Sequence, residues 1–226
     1  MKNKNIEKTS EKIQNLFNLL APHYDQNNDI ISLFMHRLVK KSVVEAIPEI
    51  PEHSRILDLC TGTGDIAALL KKKFPNADIT GADFSDEMLK VAKRKHKKLN
   101  FVNADCLNLP FEDNSFDLVT ISFGLRNTVN FDKALSEISR VLKPGGIFVH
   151  LDFGDANKHA DRVFYELVKF IAELQGDDCY VYLLESKNEF PPVEKLVELF
   201  ARHGLKYEMR RDYLMGITSA QYCIKH

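Results

Sequence analysis

Several residue types and patterns are scarce in this chain of 226 residues, and each absence excludes a class of protein or of site. It has no tryptophan and only four cysteines, Cys60, Cys106, Cys179 and Cys223, without any Cys-x-x-Cys spacing. This argues against a disulfide framework or a metal site and favours free thiols in a reducing compartment. No apolar run approaches the roughly eighteen residues that cross a bilayer, and the polar N-terminal segment lacks the apolar centre of a signal peptide. We therefore expect a cytoplasmic protein.

Neither sign of charge dominates the sequence. Lys and Arg number 31 against 32 Asp and Glu, a formal net charge of -1, so no overall field favours nucleic acid or an anionic membrane. A basic run at residues 90–98 falls at the predicted C-terminal end of a helix, where the helix dipole favours cations, and it lacks interleaved aromatic residues. We interpret this run as a solvated helix face and expect no nucleic-acid partner.

The spacing of apolar residues predicts an α/β chain that begins with helices. Helical spacing over residues 13–47 is interrupted at Pro22 and at 27–29, which indicates at least two helices. Strands and helices then alternate, with helices predicted at 65–73, from Ser85 or Asp86 to 97, and at 132–142. The predicted parallel strands are Arg55–Leu59, Asp78–Asp83, Asn100–Ala104, Asp117–Phe123 and Ile147–Phe153.

The last seventy or so residues follow a different pattern. Helices are predicted at 160–174 and 192–203, and two strand-like runs at 206–214 and 217–224 are joined by so short a link that they can only pair antiparallel. The fold class predicted is a Rossmann-like α/β fold, with a seven-stranded, mostly parallel sheet, an antiparallel C-terminal hairpin and an N-terminal helical cap. We expect one domain over 1–226, made of the cap (1–50), a core (51–155) and C-terminal helices with the hairpin (156–226).

The most informative segment is residues 56–65, Ile-Leu-Asp-Leu-Cys-Thr-Gly-Thr-Gly-Asp. A strand ending in a glycine-rich turn at a helix N-terminus lets the backbone approach a nucleotide-like ligand. The next predicted strand ends in Asp83, whose carboxylate can accept hydrogen bonds from both hydroxyls of a ribose. We therefore predict that the chain binds a cofactor that contains a nucleoside.

Two cofactors are compatible with this loop. Residues 62–67 satisfy the dehydrogenase fingerprint Gly-x-Gly-x-x-Gly/Ala, which indicates NAD. Three features argue against NAD. A helical region precedes the first strand, whereas a dinucleotide-binding domain usually begins with that strand. The carboxylate of Asp65 would repel a pyrophosphate at the helix N-terminus, and the antiparallel closing strands do not form a second mononucleotide-binding half. S-adenosylmethionine has a sulfonium and an amino-acid end instead. Asp58 and Asp65 can accept hydrogen bonds from its ammonium, loop N–H groups can bind its carboxylate and Asp83 its ribose.

Residues 58–64, Asp-x-Cys-x-Gly-x-Gly, resemble the Asp/Glu-x-Gly-x-Gly-x-Gly loop of class I S-adenosylmethionine-dependent methyltransferases. Cys60 replaces the first glycine, and only a backbone with positive φ would be strained by this exchange. The resemblance implies that Asp105 and Cys106 bind the adenine, and it extends to residues 109–117 and 140–146. The predicted cofactor-binding residues are Asp58, Gly62, Thr63, Gly64, Asp83, Asp105, Cys106 and Ser122.

Residues 121–127, Ile-Ser-Phe-Gly-Leu-Arg-Asn, resemble the signature of the ubiquinone/menaquinone biosynthesis C-methyltransferase family. Residues 21–37, 182–186, 202–204 and 213–216 are similar to further segments of that family. The resemblance implies methyl transfer to a lipophilic, polyprenylated quinol such as demethylmenaquinol. The chain departs from the family at Gln221, where members usually have histidine, and in a shortened segment between residues 153 and 177.

The catalytic residues predicted are Arg126, Asn127 and Tyr24. Arg126 cannot act as a base because its guanidinium stays protonated. It can stabilise a developing quinolate, and Asn127 can hydrogen-bond to the same oxygen. The proton must then pass to a water held by Arg126, or to Tyr24, Asp29 or His36.

Several alternatives remain open at the level of sequence. An apolar stripe at helical spacing is compatible with core packing, with binding of an isoprenoid tail and with contact to the inner face of the membrane. The stripe consists of Val163, Phe164, Leu167, Val168, Ile171 and Leu174. The acceptor is a naphthoquinol, a benzoquinol, another small molecule or RNA, or the chain binds the cofactor without catalysis. The oligomeric state, monomer or homodimer, is not determined.

Overall fold

The computed structural model describes residues 9–175 and 179–226. The helices in these residues are α1 (Ser10–Leu20), α2 (Tyr24–Ser32), α3 (Met35–Glu45), α4 (Asp65–Lys73), α5 (Asp86–Lys95), α6 (Phe131–Val141), α7 (Lys158–Gln175), α8 (Cys179–Glu189) and α9 (Val193–Arg202). The strands are β1 (Arg55–Leu59), β2 (Asp78–Asp83), β3 (Asn100–Asn103), β4 (Phe116–Ser122), β5 (Leu142–Phe153), β6 (Leu205–Tyr213) and β7 (Thr218–Lys225). Within the described residues, no helix combines the length and the apolar character that crossing a membrane requires.

The seven strands form one mixed sheet in the order β3-β2-β1-β4-β5-β7-β6. Strands β1 to β5 are parallel, and β7 pairs antiparallel with both β5 and β6. The predicted fold class and the antiparallel hairpin are confirmed, because the short turn Leu214–Gly216 reverses the chain between β6 and β7. The hairpin adds its second strand, β7, next to β5, so β6 becomes the sheet edge.

Two elements differ from the sequence prediction by more than two residues in their bounds or in their existence. Strand β5 begins at Leu142 rather than at 147, because Leu142 already pairs with Phe116 across an irregularity in the ladder. Helix α8 was not predicted, since its sequence places apolar residues in its first half and polar residues in its second without helical periodicity.

Both faces of the sheet are covered by helices. Helices α3, α4 and α5 cover one face, and the Tyr222 hydroxyl of β7 donates a hydrogen bond to the Val43 carbonyl oxygen of α3 at 2.9 Å. Helices α6 and α9 cover the other face, where Phe148 and Phe200 meet edge to face with ring centroids 5.3 Å apart. The cap helix α3 therefore belongs to the main core, and it lies beside the carboxyl ends of the parallel strands, where open α/β sheets bind ligands.

Arg140 connects two of the sequence motifs, residues 109–117 and 140–146, through hydrogen bonds and ion pairs. Arg140 of α6 donates hydrogen bonds to the carbonyl oxygens of Leu109 and Phe111 at 3.0 and 2.8 Å. It also forms ion pairs with Glu137 at 2.8 Å and Asp113 at 2.7 Å. The motifs at 109–117 and 140–146 thus fix the segment between β3 and β4, which carries the end of the cleft described next.

Candidate active site

A cleft of about 710 Å³ lies at the carboxyl ends of the parallel strands. We call it the sheet-edge cleft. Seven of the predicted site residues lie on its wall: Tyr24, Gly62, Asp83, Asp105, Cys106, Ser122 and Asn127. The strand ends bring together side chains that are far apart in sequence, as expected for parallel strands that share one edge.

Asp83 at the end of β2 holds the glycine-rich loop in place. Its carboxylate accepts backbone hydrogen bonds from Gly62 at 2.8 Å and from Ser85 at 2.9 Å. Burial raises the pKa of Asp83 to about 6, against the effect of these N–H donors. Because a carboxylate has about four acceptor sites, Asp83 can hold the loop and still accept ligand hydroxyls.

Asp58 lies beneath the loop and is almost completely buried. Its two carboxylate oxygens accept hydrogen bonds from the Thr61 hydroxyl at 2.6 Å and the Thr120 hydroxyl at 2.7 Å. Burial raises its pKa to about 6, and the two hydroxyls oppose this shift. These contacts give Asp58 a structural part in shaping the loop, whereas the sequence analysis assigned it to a ligand ammonium.

The loop backbone is left-handed at three positions. Cys60, Gly62 and Gly64 have φ of 52°, 56° and 86°. Position 60 therefore requires the positive φ that the glycine of the class I loop supplies, and Cys60 adopts it at a cost in strain. Gly64 is absent from the walls of the described cavities, and a Cβ there would lie 2.9 Å from both His96 and Phe101. Gly64 therefore permits close packing against these side chains, and its role in cofactor binding stays a prediction.

The far end of the cleft is formed by the segment after β3. Asp105 accepts a hydrogen bond from the Leu107 N–H at 2.9 Å and forms an isolated bridge with Asn108. The Cys106 thiol contacts the Cys60 thiol, and this contact, followed by burial, raises the pKa of Cys60 well above its ordinary value. The two cysteines are free, as predicted, and so is Cys223, while the Cys179 side chain lies outside the described residues.

A smaller pocket of about 350 Å³ continues the cleft on the other side of the glycine-rich loop. We call it the loop pocket. It shares Tyr24, Cys60, Gly62, Ser122 and Phe123 with the sheet-edge cleft. Its own wall adds Lys40, Asp58, Thr61, Thr63, Asp65 and Ile66.

Two lysines and two aspartates form an ion cluster beside the loop pocket. Asp65 pairs with Lys40 at 3.1 Å and with Lys95 at 2.9 Å, and Lys95 also pairs with Asp25 at 2.6 Å. The Thr63 hydroxyl donates a hydrogen bond to Asp25 at 2.6 Å. Burial would raise the pKa of Asp65, but Lys40 and Lys95 outweigh it and hold that pKa well below its ordinary value. Asp65 is thus paired with two cations on the wall of the loop pocket, and its contact with a ligand ammonium stays a prediction.

A larger cavity of about 1240 Å³ lies between α2, α3, α7, α8 and the turn before β7. We call it the apolar cavity. Its wall is dominated by Ile31, Leu33, Val39, Phe153, Val163, Phe164, Leu167, Leu183, Leu214 and Met215.

The apolar stripe of α7 is divided between this cavity and the core. Val163, Phe164 and Leu167 lie on the cavity wall. Val168 and Ile171 are buried in a satellite cluster with side chains of α2 and α8. The side chain of the sixth stripe residue, at position 174, lies outside the described residues. The core-packing interpretation therefore holds for Val168 and Ile171, whereas Val163, Phe164 and Leu167 line a cavity.

Arg126 lies on the wall of the apolar cavity and is 7% exposed. Its Nη1 donates hydrogen bonds to the Phe123 carbonyl oxygen and to Asp152 Oδ1, each at 2.8 Å. The guanidinium carbon lies 5.0 Å from the centroid of the Phe153 ring. A fixed cation in an apolar cavity can stabilise a negative charge that develops there, because little water screens it.

Asn127 lies apart from the apolar cavity, on the wall of the sheet-edge cleft. Its Nδ2 donates a hydrogen bond to the Phe123 carbonyl oxygen at 3.0 Å, and its Oδ1 accepts one from the Tyr182 hydroxyl at 2.9 Å. Arg126 and Asn127 thus meet at the Phe123 carbonyl oxygen from two different cavities, and their contact with one ligand oxygen stays a prediction. Asn127 also links α8 to the segment that follows β4.

Tyr24 and Phe123 lie where the three cavities meet, since both residues line all of them. Of the other predicted proton acceptors, His36 lines the apolar cavity. Asp29 forms a two-point ion pair with Arg37, with distances of 2.6 and 2.9 Å, which holds the pKa of Asp29 below its ordinary value.

The departure from the family at Gln221 lies away from the apolar cavity. Gln221 is buried and pairs in register with His150, whose Nδ1 lies 2.6 Å from Gln221 Oε1. Gln221 Nε2 donates a hydrogen bond to Ser219 at 2.7 Å. The residue at 221 therefore belongs to the sheet interior and is absent from the wall of the apolar cavity.

The sequence analysis missed two charged residues of the site. Asp152, fully buried at the end of β5, fixes Arg126, and an acid inside an otherwise apolar strand was the available signal. Lys40 on α3 forms part of the loop pocket, but the helical spacing of the cap gave no sign that this lysine points toward the sheet.

The contact between the loop and the β4 end yields a stability prediction. A Cβ at Gly124 would lie 2.5 Å from Cys60 Cβ, so Gly124→Ala should lower the free energy of unfolding by about 1–3 kcal/mol. In a Cys60→Gly background the clash disappears, and the cost of Gly124→Ala should fall below about 1 kcal/mol. Urea denaturation of the four proteins measures this coupling. Equal costs in both backgrounds would contradict the proposed contact.

Comparison with known proteins agrees with this geometry. A demethylmenaquinone methyltransferase of Thermus thermophilus is 41% identical over 208 residues, covering 86% of this chain and 94% of the relative. One of Staphylococcus haemolyticus is 37% identical over 220 residues, covering 92% of each. A solved SAM-dependent methyltransferase of Thermotoga maritima shares the fold, with a TM-score of 0.69, 20% identity and coverage of 95% and 100%.

The family comparison covers nearly the whole chain. Residues 5–225 match the model of the ubiE/COQ5 methyltransferase family. The match includes the glycine-rich loop, the Arg126 segment and the C-terminal hairpin, so no part of the site described above falls outside it. The chain therefore belongs to the ubiE/COQ5 methyltransferase family.

Proposed function

We propose that this methyltransferase transfers the methyl group of S-adenosylmethionine to a ring carbon of a polyprenylated quinol, with demethylmenaquinol as the preferred acceptor. The observation that carries the proposal is the meeting of the apolar cavity, which contains Arg126, with the sheet-edge cleft at Tyr24 and Phe123. The names of the two relatives support the choice of acceptor.

The residues of the sheet-edge cleft suit S-adenosylmethionine. A Cβ at Gly62 would fill space at the cleft wall, where its nearest neighbour would be the Tyr24 ring at 3.8 Å. Asp83 would accept hydrogen bonds from the ribose hydroxyls, and Asp105 with Cys106 would hold the adenine. Thr63 and Ser122 would complete the loop side of the site. When bound, this cofactor supplies an electrophilic methyl group.

Arg126 and the apolar cavity would prepare the acceptor. A quinol ring carbon becomes nucleophilic when the neighbouring hydroxyl loses its proton, and the guanidinium of Arg126 stabilises the resulting negative charge. Methyl transfer would form the carbon–methyl bond as the methyl–sulfur bond broke, and the hydroxyl proton would pass to a base. The methylated carbon would then lose its hydrogen as the ring oxygen regained a proton, which restores the quinol. The isoprenoid tail would lie along the apolar wall formed by α2, α7 and α8.

His36 is the base that the geometry favours. The Ser32 hydroxyl lies 2.6 Å from the Asn28 carbonyl oxygen and 2.7 Å from His36 Nδ1. We assign its single hydrogen to the carbonyl oxygen, which cannot donate, so that His36 Nδ1 donates to the hydroxyl oxygen. This fixes the proton of the neutral ring on Nδ1 and leaves Nε2 as an acceptor. Asp29 Oδ1 lies 3.7 Å from Nε2, where it would stabilise the imidazolium formed by proton transfer.

The acceptor is tested by methyl transfer from radiolabelled S-adenosylmethionine to three candidates: a short-chain demethylmenaquinol, a short-chain benzoquinol and total RNA. We expect label in the naphthoquinol. Label only in RNA, or in none of the three, would contradict the proposal, and comparable rates on both quinols would broaden the acceptor class beyond the stated preference.

Arg126→Gln with Asp152→Asn should lower kcat about 10²- to 10³-fold on that acceptor. The double variant removes both charges, so it avoids an unpaired buried carboxylate. The Kd of S-adenosylhomocysteine should stay within about threefold, because these residues lie outside the sheet-edge cleft. Arg210→Gln with Asp212→Asn removes an exposed Arg–Asp pair and serves as control. Retained turnover in the Arg126 variant would exclude the proposed role.

His36→Asn should lower kcat by about 10²-fold or more, because asparagine can keep the bond to Ser32 but lacks an acceptor at the Nε2 position. Burial, followed by the Lys40 cation, lowers the pKa of His36 to about 4. The base is therefore active above that pH and becomes protonated as pH falls through it. The wild-type rate should not fall between pH 7 and 5.5. His203→Gln is the control, and a loss of rate centred near 6.5 would argue against His36.

The rim of the apolar cavity carries exposed apolar residues, and we propose that it contacts the bilayer from which the lipophilic quinol enters. Leu33 and Met215 are 66% and 70% exposed, and both line the cavity. Both lie in turns with left-handed backbone, with φ of 47° and 56°. Strain of this kind in non-glycine residues is typical of functional sites.

Leu33→Asn with Met215→Asn should lower binding to phosphatidylglycerol–phosphatidylcholine vesicles by about tenfold or more, measured by co-sedimentation. Asparagine tolerates left-handed backbone, so the melting temperature should not fall. Leu19→Asn, an equally exposed change on α1 outside the rim, is the control. Vesicle binding that is unchanged in the double variant, or equally reduced in the control, would contradict the proposal.

A further inference from the structure

The proposed function leaves one end of the cofactor without an assigned charged partner. The sheet-edge cleft has Asp83 and Asp105 for a nucleoside, but S-adenosylmethionine also carries an amino-acid end with an ammonium and a carboxylate. The loop pocket extends from the cleft past Gly62, on the side away from Asp105. It is therefore the place for the part of the ligand beyond the ribose.

The wall of the loop pocket contains two acids and one cation among its described residues. Asp58 is occupied by the hydroxyls of Thr61 and Thr120, and Asp65 is paired with two lysines. A carboxylate in this pocket would therefore be repelled by its acids unless the cation on the wall received it.

That cation is Lys40 of α3. Its side chain is only 12% exposed, and Asp65 Oδ2 accepts a hydrogen bond from its Nζ at 3.1 Å. An ammonium has three N–H bonds, so this contact alone does not saturate it. Lys40 also lies on the wall of the apolar cavity, which places it beside the point where all three cavities meet.

We propose that Lys40 binds the carboxylate of the methionyl end of S-adenosylmethionine. This inference rests on the proposed function. Through this contact the cap helix α3 would close one side of the cofactor site, so cofactor binding and formation of the apolar cavity would depend on the same helix.

Lys95 makes the proposal testable without loss of the ion cluster. If Lys40 is replaced, Asp65 keeps its ion pair with Lys95 at 2.9 Å, and Lys95 keeps Asp25 at 2.6 Å. A charge-removing variant at position 40 should therefore leave the glycine-rich loop folded, which the melting temperature checks.

The experiment compares two ligands by isothermal titration calorimetry. S-adenosylhomocysteine has the amino-acid end, whereas 5′-methylthioadenosine has the same nucleoside and thioether without it. Lys40→Gln should raise the Kd of S-adenosylhomocysteine about 10- to 100-fold, as for loss of a charge-assisted hydrogen bond, and leave that of 5′-methylthioadenosine within about twofold. Lys40→Arg should recover most of the affinity.

Lys41→Gln is the matched control, because Lys41 is the next residue on α3 and its side chain is 58% exposed. It should change neither Kd. An equal loss of affinity for both ligands in Lys40→Gln would assign Lys40 a structural role and overturn the proposal. Unchanged affinity for both ligands, or a rise only in the KM of the quinol, would also overturn it. If neither ligand binds the wild-type protein, the proposed function itself fails.

Discussion

The cap helices are held against the glycine-rich loop by the ion cluster of Asp25, Lys95, Asp65 and Lys40. Each charge in the cluster has a partner of opposite sign within 3.1 Å, and the Thr63 hydroxyl joins α2 to the loop. Buried or half-buried charges are tolerated only when they are paired in this way. Together with the apolar packing of α3 in the main core, the cluster keeps the cap helices beside the glycine-rich loop, where they form part of the walls of the loop pocket and the apolar cavity.

The function depends on the contact between a polar and an apolar compartment. The sheet-edge cleft and the loop pocket contain carboxylates and backbone N–H groups, while the apolar cavity has a wall of aliphatic and aromatic side chains. Tyr24 and Phe123 separate them. A charged cofactor and a lipophilic acceptor can thus occupy neighbouring sites, each beside side chains of matching polarity.

Much of the fold and part of the site were predictable. The strand bounds of β1 and β2 and the antiparallel hairpin follow from local periodicity and link length, and Asp83 was predicted because it ends a strand. The packing of Gly64 against His96 and Phe101 and the bond from Tyr182 to Asn127 were not predicted, because motif position does not reveal which neighbouring elements a residue contacts. Helix α8 was missed because its apolar residues have no helical period, so only tertiary contacts stabilise it.

Local residue patterns predicted every strand and most helices in their order, the glycine-rich turn at the carboxyl end of β1 and the acids at the strand ends, because these depend on residues close together in the chain. The three-dimensional contacts were needed to show which charges are paired, that Asp152 fixes Arg126, that Gln221 lies in the sheet interior and that the stripe of α7 is divided between cavity and core. Such pairings join residues many positions apart, and their energies depend on distance and burial, which no local pattern contains.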